Sequence, residues 1–392
     1  MNKRVTFIGG GASSLCSAVL LKKNNPSLDV VIVEKEKKLG KKLSATGGGK
    51  CNIAPLKDDV NVYNLESREL VKKLFDDIPL DKYLANLKQI GVVTKIIKDY
   101  GYYPVHESAP QLVKNLYHQI NKLGIKVIYD DFLNYIEEKT IKVVLTYEQF
   151  DTDYLVLATG GINELVNPSF IKMLGLHNVP VTKTYPGLCP LKLNGTPSDL
   201  LGCRFEAYVS LKKNGQEINH YSGEIQFKRD GVSGMPILNL SSELSRDLVN
   251  GNSEDYVLEI GLPFEVDLSS FIGMTFEEAL LSNFKESYVN YLLFANNINR
   301  KEIVSNNNID TLSNLLYRQS FSINSLYDYQ EAQVSVGGVD LSAINDDFSL
   351  KTNPNIFIVG EALNVDGICG GYNLRFAITS GFKVATTIAK KL

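Results

Sequence analysis

The 392-residue chain contains no tryptophan, only four histidines and only five cysteines. The cysteines (Cys16, Cys51, Cys189, Cys203 and Cys369) are odd in number, scattered and never spaced as CxxC. That pattern excludes a disulfide framework and a thiolate zinc site, and it fits a reducing compartment. His106, His118, His177 and His220 show no ligand spacing, so no metal is expected. No apolar run approaches the ~18 residues of a membrane-spanning helix. A strand-like run begins within four residues of the N-terminus and leaves no room for a signal peptide before it, so the expected location is the cytoplasm. A net charge of −3 offers no electrostatic reason for nucleic acid or an anionic membrane as the main partner. Nothing in the composition speaks to oligomeric state. With 44% hydrophobic and 22% charged residues, the chain has the balance of a globular enzyme acting on a small molecule.

What the sequence does hold is glycine in informative places. Residues 5–8 are apolar and β-favouring, and "GGGASS" (residues 9–14) and a helix-like segment follow. A second apolar run, "VVIVEK", ends in Glu34 and Lys35. Strand, glycine turn, helix, strand and acid in this order make a dinucleotide-binding βαβ unit. Gly9, Gly11, Ala12 and Ser13 would meet a pyrophosphate at the helix N-terminus, and Glu34 would take a ribose hydroxyl pair. Ser14 stands where a third glycine is usual, and its small side chain still permits close packing of helix on strand.

Further along, "KEKKLGKKLSATGGGKCN" is a lysine-rich loop closing on three glycines, able to neutralise phosphate and bring backbone N–H groups to a ligand. Helical periodicity covers residues 67–91, broken at Pro79, and a second helix is expected over residues 110–123. "IKVIYDD", "FLNYIEE" and "IKVVLTYEQF" alternate like antiparallel strands. "TDYLVLATGG" is a buried-type strand delivering Thr159, Gly160 and Gly161 to the second phosphate-side turn of a flavin domain. Short alternating segments then suggest a β-rich insert over residues 188–265, and helical patterns suggest another insert over residues 266–332. Strands of the first type return after residue 333. The expected architecture is therefore α/β: a Rossmann-like domain formed by residues 1–187 and 333–392, interrupted by the two inserts.

The last block is the most specific: "IFIVGEALNVDGICGGYNLRFAITSG". A strand ends in Gly360-Glu361, a short loop holds Asp366, and Gly370-Gly371-Tyr372-Asn373 opens the final helix. A carboxylate here suits ribityl or ribose hydroxyls. N–H groups at a helix start suit a flavin pyrimidine edge, where negative charge develops on reduction.

Taken together, "GGGASS", "GKKLSATGGGKCN", "GYYPVHESAPQLV", "LATGG", "YPGLCPL", "GEIQFKRDGVSGMPIL", "VSVGGVDL" and "GEALNVDGICGGYN" resemble the aminoacetone oxidase-like NAD(P)/FAD-dependent oxidoreductases. That group includes bacterial bile-acid dehydro-intermediate reductases, and the resemblance runs nearly end to end. It implies an FAD domain of the glutathione-reductase and fumarate-reductase type, split by a β-barrel-like insert and a small helical insert. It places Gly9, Gly11 and Glu34 on the adenosine half of FAD. Lys42, Thr46, Gly47 and Asn52 fall in its second loop, and Gly160 and Gly161 after its third strand. Gly360, Glu361, Asp366, Gly370, Gly371, Tyr372 and Asn373 fall on its flavin side, and Leu133 offers its main chain to the adenine. The chain departs from the family at Lys228-Arg229, where a Thr-His or similar pair is usual.

The activity implied is hydride transfer through flavin N5, with NAD(P)H as a transient reductant of a small or enone-type substrate. Oxygen-dependent amine oxidation is the alternative, and a non-catalytic flavin-binding protein is a further one. There is no second GxGxxG and hence no separate nicotinamide domain. Tyr372 and Asp366 are the candidate catalytic groups because the motif places them near the ring. Cys51 and Cys369, one in each of the two most diagnostic motifs, could form a redox pair if both loops border the ring, but small buried thiols filling space are the commoner case.

Overall fold

Residues 5–8 carry β-branched and aromatic side chains that are covered on both faces, as in the interior of a parallel sheet. In the computed structural model, which describes residues 2–98, 100–162, 168–195, 200–249 and 256–392, they lie in β1 (Arg4–Ile8). The chain divides into two compact units, Met1–Thr184 with Val334–Leu392, and Tyr185–Gln333.

The first unit opens with β1, α1 (Ala12–Asn24) and β2 (Asp29–Glu34), a βαβ unit whose strands pair in parallel. The helices α2 (Arg68–Asp77) and α3 (Leu80–Gln89) are parted at Pro79, the N-cap of α3. A hairpin of β3 (Thr94–Ile97) and β4 (Gly101–Pro104) precedes α4 (Ala109–Lys122), where the Ser108 hydroxyl accepts from the Gln111 N–H at 3.3 Å. Next come β5 (Lys126–Tyr129), β6 (Phe132–Glu137), β7 (Ile141–Leu145), β8 (Gln149–Thr152), β9 (Tyr154–Leu157) and α5 (Pro168–Leu176). Strands β6 to β8 form an antiparallel sheet as expected, but β5 does not join them. It runs parallel to β2, with Val31 opposite Lys126. Alternation reports that one face is covered and is silent on the direction of the neighbouring strand.

The second unit is a closed barrel. Its strands are β11 (Leu191–Leu193), β12 (Arg204–Lys213), β13 (Gln216–Lys228), β14 (Gly231–Gly234), β15 (Tyr256–Gly261) and β16 (Gln319–Leu326), following the short β10 (Tyr185–Gly187). A helix not anticipated in this β-rich stretch, α6 (Met235–Val249), follows β14. The helices α7 (Phe276–Leu281), α8 (Glu286–Ala295) and α9 (Ile309–Tyr317) share one hydrophobic core with the barrel, as Leu280, Leu292 and Leu312 pack with Phe227, Leu258 and Phe321. The strand that closes the barrel, β16, also comes from the stretch read as helical.

The chain then returns to the first unit with β17 (Val334–Val336), β18 (Ile356–Ile358) and α10 (Tyr372–Lys390). The main sheet has the order β18-β9-β1-β2-β5 and is parallel throughout. Helices α1 and α10 meet through small residues: a Cβ on Gly381 would stand 2.8 Å from the Ser13 carbonyl oxygen and 3.1 Å from Ser17 Oγ. That close approach seats the first turns of α1 against the middle of α10.

Candidate functional site

Strand register gathers the sequence-predicted turns. Ile8 is level with Val33 on one side and Leu157 on the other, and Leu157 is level with Ile358. Glu34, which ends β2, and Gly9, Thr159 and Gly360, which come after their strands, therefore lie at the carboxyl ends of the strands, where ligands of open parallel sheets bind. Main-chain bonds lock the turns: Gly9 N–H to Val33 O (2.8 Å), Ala158 N–H to Ile8 O (2.9 Å) and Gly40 N–H to Gly10 O (2.8 Å).

The first turn needs its glycines for different reasons. Gly9 has φ +99°, and a Cβ there would run into the Ala158 carbonyl oxygen. At Gly10 a Cβ would press on Leu39 and stand 2.9 Å from Glu34 Oε2. At Gly11, the N-cap of α1, a Cβ would meet nothing within 4 Å, so the space above the helix start is open. The first turn of α1 holds no acidic residue to compete with a phosphate, and Ala12 and Ser13 present the N–H groups that a helix start leaves over. Glu34 accepts from the Gly10 N–H (2.7 Å) and the Glu36 N–H (2.8 Å), which ties the acid to the turn and to the chain at Lys35.

The second loop is a left-handed run: Gly47, Gly48, Gly49 and Cys51 have φ between +56° and +85°. The Thr46 hydroxyl donates to Leu43 O (2.7 Å). Among the described residues, and apart from the adjoining ones, no atom lies within 4 Å of a Cβ built on Gly48, Gly49 or Gly160. Asn52 is the joint between this loop and α10. Its Nδ2 donates to Tyr100 O (2.6 Å), while its buried Oδ1 has no partner among the described residues and would lie 2.6 Å from a Cβ on Gly371. A buried, unsatisfied acceptor beside a helix start is a mark of a site made for a ligand.

Lys42 reaches Glu361 across the edge, with Nζ 2.7 Å from Oε1 and 2.8 Å from Oε2. Glu361 also accepts from the Ser335 N–H (2.9 Å), and its Oε1 would lie 2.5 Å from a Cβ on Gly161. Gly360 has φ +68°, its N–H bonds to Ser380 Oγ (3.0 Å), and a Cβ there would stand 2.5 Å from Ser13 Oγ. Sequence reasoning singled out neither Ser335 in "VSVGGVDL" nor Ser380 in "FAITSG", because nothing in either motif announces that one would meet Glu361 and the other the Gly360 N–H.

It also missed the scaffold of the last loop. Asn64 accepts from the Asp366 N–H at its Oδ1 (3.2 Å), and its own N–H donates to Asp366 O (3.0 Å). The Tyr63 hydroxyl donates to Tyr372 O (2.7 Å), and the two rings meet edge-on with centroids 6.0 Å apart. Asn373 grips the same loop, accepting from Gly367 N–H (2.9 Å) and donating to Gly367 O (2.8 Å), so its side chain is occupied in shaping the turn. Gly370 and Gly371 have φ of +122° and +90°, which a side chain at either position would strain. Leu133 sits at a register shift between Phe132 and Asn134, where a bulge takes its main chain out of the β6–β7 ladder.

The two candidate catalytic groups differ. Asp366 is 1% exposed and held by Asn64, whereas Tyr372 is half-buried, its phenol pushed up by burial and then by the charges of Asp59 and Asp58. Burial pushes the Cys51 thiol up to about 11, against the Thr46 hydroxyl, and the Cys369 thiol up to about 12. All five cysteines are free, and the thiol that faces Cys51 electrostatically is Cys16 rather than Cys369. Among the described residues no cluster of metal-ligating side chains occurs, and no helix is long and apolar enough to cross a membrane.

Residues 3–387 match the model of the HI0933-like protein Rossmann domain. The chain belongs to the HI0933-like family. It is 24% identical over 410 residues to a 3-dehydro-bile acid delta(4,6)-reductase of Clostridium scindens, covering 99% of each chain. It is 24% identical over 408 residues to a ribosomal RNA dihydrouridine synthase of Haemophilus influenzae, covering 98% of each. Among solved structures it resembles 3-ketosteroid delta1-dehydrogenase from Sterolibacterium denitrificans (TM-score 0.56, 12% identity, 99% of both chains). It also resembles E. coli quinol fumarate reductase FrdA (TM-score 0.51, 11% identity, 100% of this chain and 70% of the other). The family is one of FAD-dependent oxidoreductases, and the chain is an enzyme of that class with a Rossmann-like FAD-binding domain.

Proposed function

We propose that this HI0933-like enzyme uses NAD(P)H to reduce a carbon–carbon double bond conjugated to a carbonyl in a small organic substrate. The observation that supports the reading is the close approach of the glycine turns to one another's segments: Gly9 to Ala158, Gly161 to Glu361, Gly360 to Ser13 and Gly371 to Asn52. Such an arrangement suits a dinucleotide with a phosphate at one helix and a ring at the other. Gly9, Gly11, Ala12 and Ser13 would hold the pyrophosphate, Glu34 and Lys35 the adenosine ribose, and Leu133 the adenine. Lys42, Thr46, Gly47 and Asn52 would follow the cofactor toward the flavin. Thr159, Gly160, Gly161, Gly360, Glu361 and Asp366 would border the ribityl chain, and Gly370, Gly371, Tyr372 and Asn373 the pyrimidine edge. When bound, FAD would supply hydride acceptance and donation at flavin N5.

The choice of reaction rests on what the two curated relatives have in common. A delta(4,6)-reductase and a dihydrouridine synthase both add two hydrogens across a double bond conjugated to a carbonyl. The balance is one hydride from NAD(P)H and one proton, giving NAD(P)+ and the saturated bond. The test supplies NADPH or NADH carrying deuterium at C4, with an unsaturated 3-oxo bile acid, and follows product mass. Gain of two hydrogens by the substrate supports the reading. Bleaching of the flavin by a primary amine, with neither nicotinamide effective, moves the assignment to amine oxidation.

A second reading has its own support in the ribosomal RNA dihydrouridine synthases, of which two match over nearly the whole chain. The net charge of −3 that argued against nucleic acid describes the chain as a whole and says nothing of one face. Loss of dihydrouridine from ribosomal RNA in a strain lacking the protein, restored by its return, would select this substrate.

A further inference from the structure

Arg375 is the largest side chain that the described residues bury completely. Its Nε donates to Asp58 Oδ1 (3.0 Å), and its Nη2 to Asp58 Oδ2 (2.9 Å) and to Ile78 O (2.8 Å). Nη1 donates to the Thr379 hydroxyl, and the rings of Phe75 and Tyr83 face the guanidinium at 4.3 and 4.4 Å. This bidentate geometry fixes both partners, and it stays neutral only while both remain charged.

The pair also sits at a particular place. Arg375 is in the first turn of α10, where its N–H donates to Gly371 O (2.9 Å), the bond that opens the helix. Asp58 precedes Asp59, whose carboxylate caps the short turn Val60–Val62 by accepting from the Asn61 N–H (2.9 Å). That turn leads straight to Tyr63 and Asn64, the two residues that hold Tyr372 and Asp366. The pair thus pins the start of α10 to the segment that shapes the loop before it. The fold buries the guanidinium completely and neutralises it with a carboxylate that stays one-fifth exposed (20%), where an uncharged side chain would satisfy packing alone.

We propose that Asp58 and Arg375 are positioning residues that fix the start of α10 against the flavin and, through their opposed charges, set its reduction potential. The inference rests on the FAD assignment made above. Reduction places negative charge at the flavin's pyrimidine edge, which a nearby cation favours and a nearby anion opposes. Asp58→Asn removes the anion and leaves Arg375 uncompensated, so the potential rises. Arg375→Gln removes the cation and leaves Asp58, so the potential falls.

The test measures the midpoint potential of bound FAD by anaerobic dye equilibration, together with FAD dissociation constants and thermal unfolding, for wild type, both single variants and the double variant. Each single variant is expected to change the ratio of reduced to oxidised flavin binding by about tenfold, about 30 mV for a two-electron couple, in opposite directions. The double variant should lie near wild type. Shifts of the same sign, or none, overturn the inference, because a purely structural pair changes stability without reversing sign. If Arg375→Gln does not fold, Arg375→Lys, which keeps the charge, should match wild-type potential. A fall on Asp58→Asn would then be decisive against the proposal. Wild-type protein that retains no FAD overturns the cofactor assignment and this inference with it.

Discussion

Gly381 and Ser13 touch where α10 crosses α1: a Cβ on the glycine would stand 2.8 Å from the serine's carbonyl oxygen. A backbone atom cannot turn aside as a flexible side chain can, so a larger residue at position 381 must push the helices apart. Gly381→Val is expected to cost about 1–3 kcal/mol of stability, the usual penalty for overpacking. Because the same contact holds the start of α1 against the middle of α10, FAD occupancy should fall as well. Thermal unfolding and the flavin content of purified protein check both; unchanged flavin content would separate the helix contact from the site.

Glu34 is bonded to the Gly10 N–H, so the acid serves the glycine turn as well as a ribose. Glu34→Ala should weaken FAD binding by roughly 1–3 kcal/mol through lost charge-assisted hydrogen bonds. Glu34→Gln keeps an oxygen for Gly10 and should recover part of the loss. Fluorescence titration of apo-protein with FAD reads both, and equal affinity in all three proteins would remove Glu34 from the site.

Lys42 and Glu361 form a pair whose lysine is more than half exposed. A pair of that kind contributes at most about 1 kcal/mol to the fold. Lys42→Met is therefore expected to leave the unfolding temperature almost unmoved while lowering FAD affinity by about 1.5–3 kcal/mol, the worth of a hydrogen bond to a charged group. A large drop in stability with unchanged affinity would reverse the assignment.

Cys51 and Cys369 titrate at about 11 and about 12 in the fold, from an ordinary value of 9.0. The unfolded chain thus ionises first, and the fold binds more protons between these values. The stability this contributes is fully present below about pH 9 and is lost as pH rises toward 11 and 12. The urea midpoint should fall over that range, and less steeply in Cys51→Ala. Thiol titration at neutral pH should give equal counts before and after dithiothreitol; a gain after reduction would restore the redox pair.

Local chemistry made the cofactor domain legible. Strand-turn-helix order, Glu34 and the glycine blocks need only a few adjacent residues each, and parallel register then carried them to one edge without further information. What escaped depends on residues far apart in sequence. Arg375 and Asp58 meet across 317 positions, and Asn64 and Asp366 across 302, and nothing near any of them announces the partner. The direction of β5 was misread because a half-covered strand alternates either way. In the second unit, α6 and β16 lie in stretches whose neighbours follow the other periodicity, so an average over those neighbours concealed them. Asn373 illustrates a finer limit: its place in the glycine block was plain, whereas its side chain holding Gly367 was not.

The most direct test is the anaerobic spectrum of the purified protein. The account predicts a yellow protein that bleaches when NADPH or NADH is added and recolours, without air, when a carbonyl-conjugated double-bond substrate follows. A protein that binds no flavin, or one that neither nicotinamide bleaches, would contradict it.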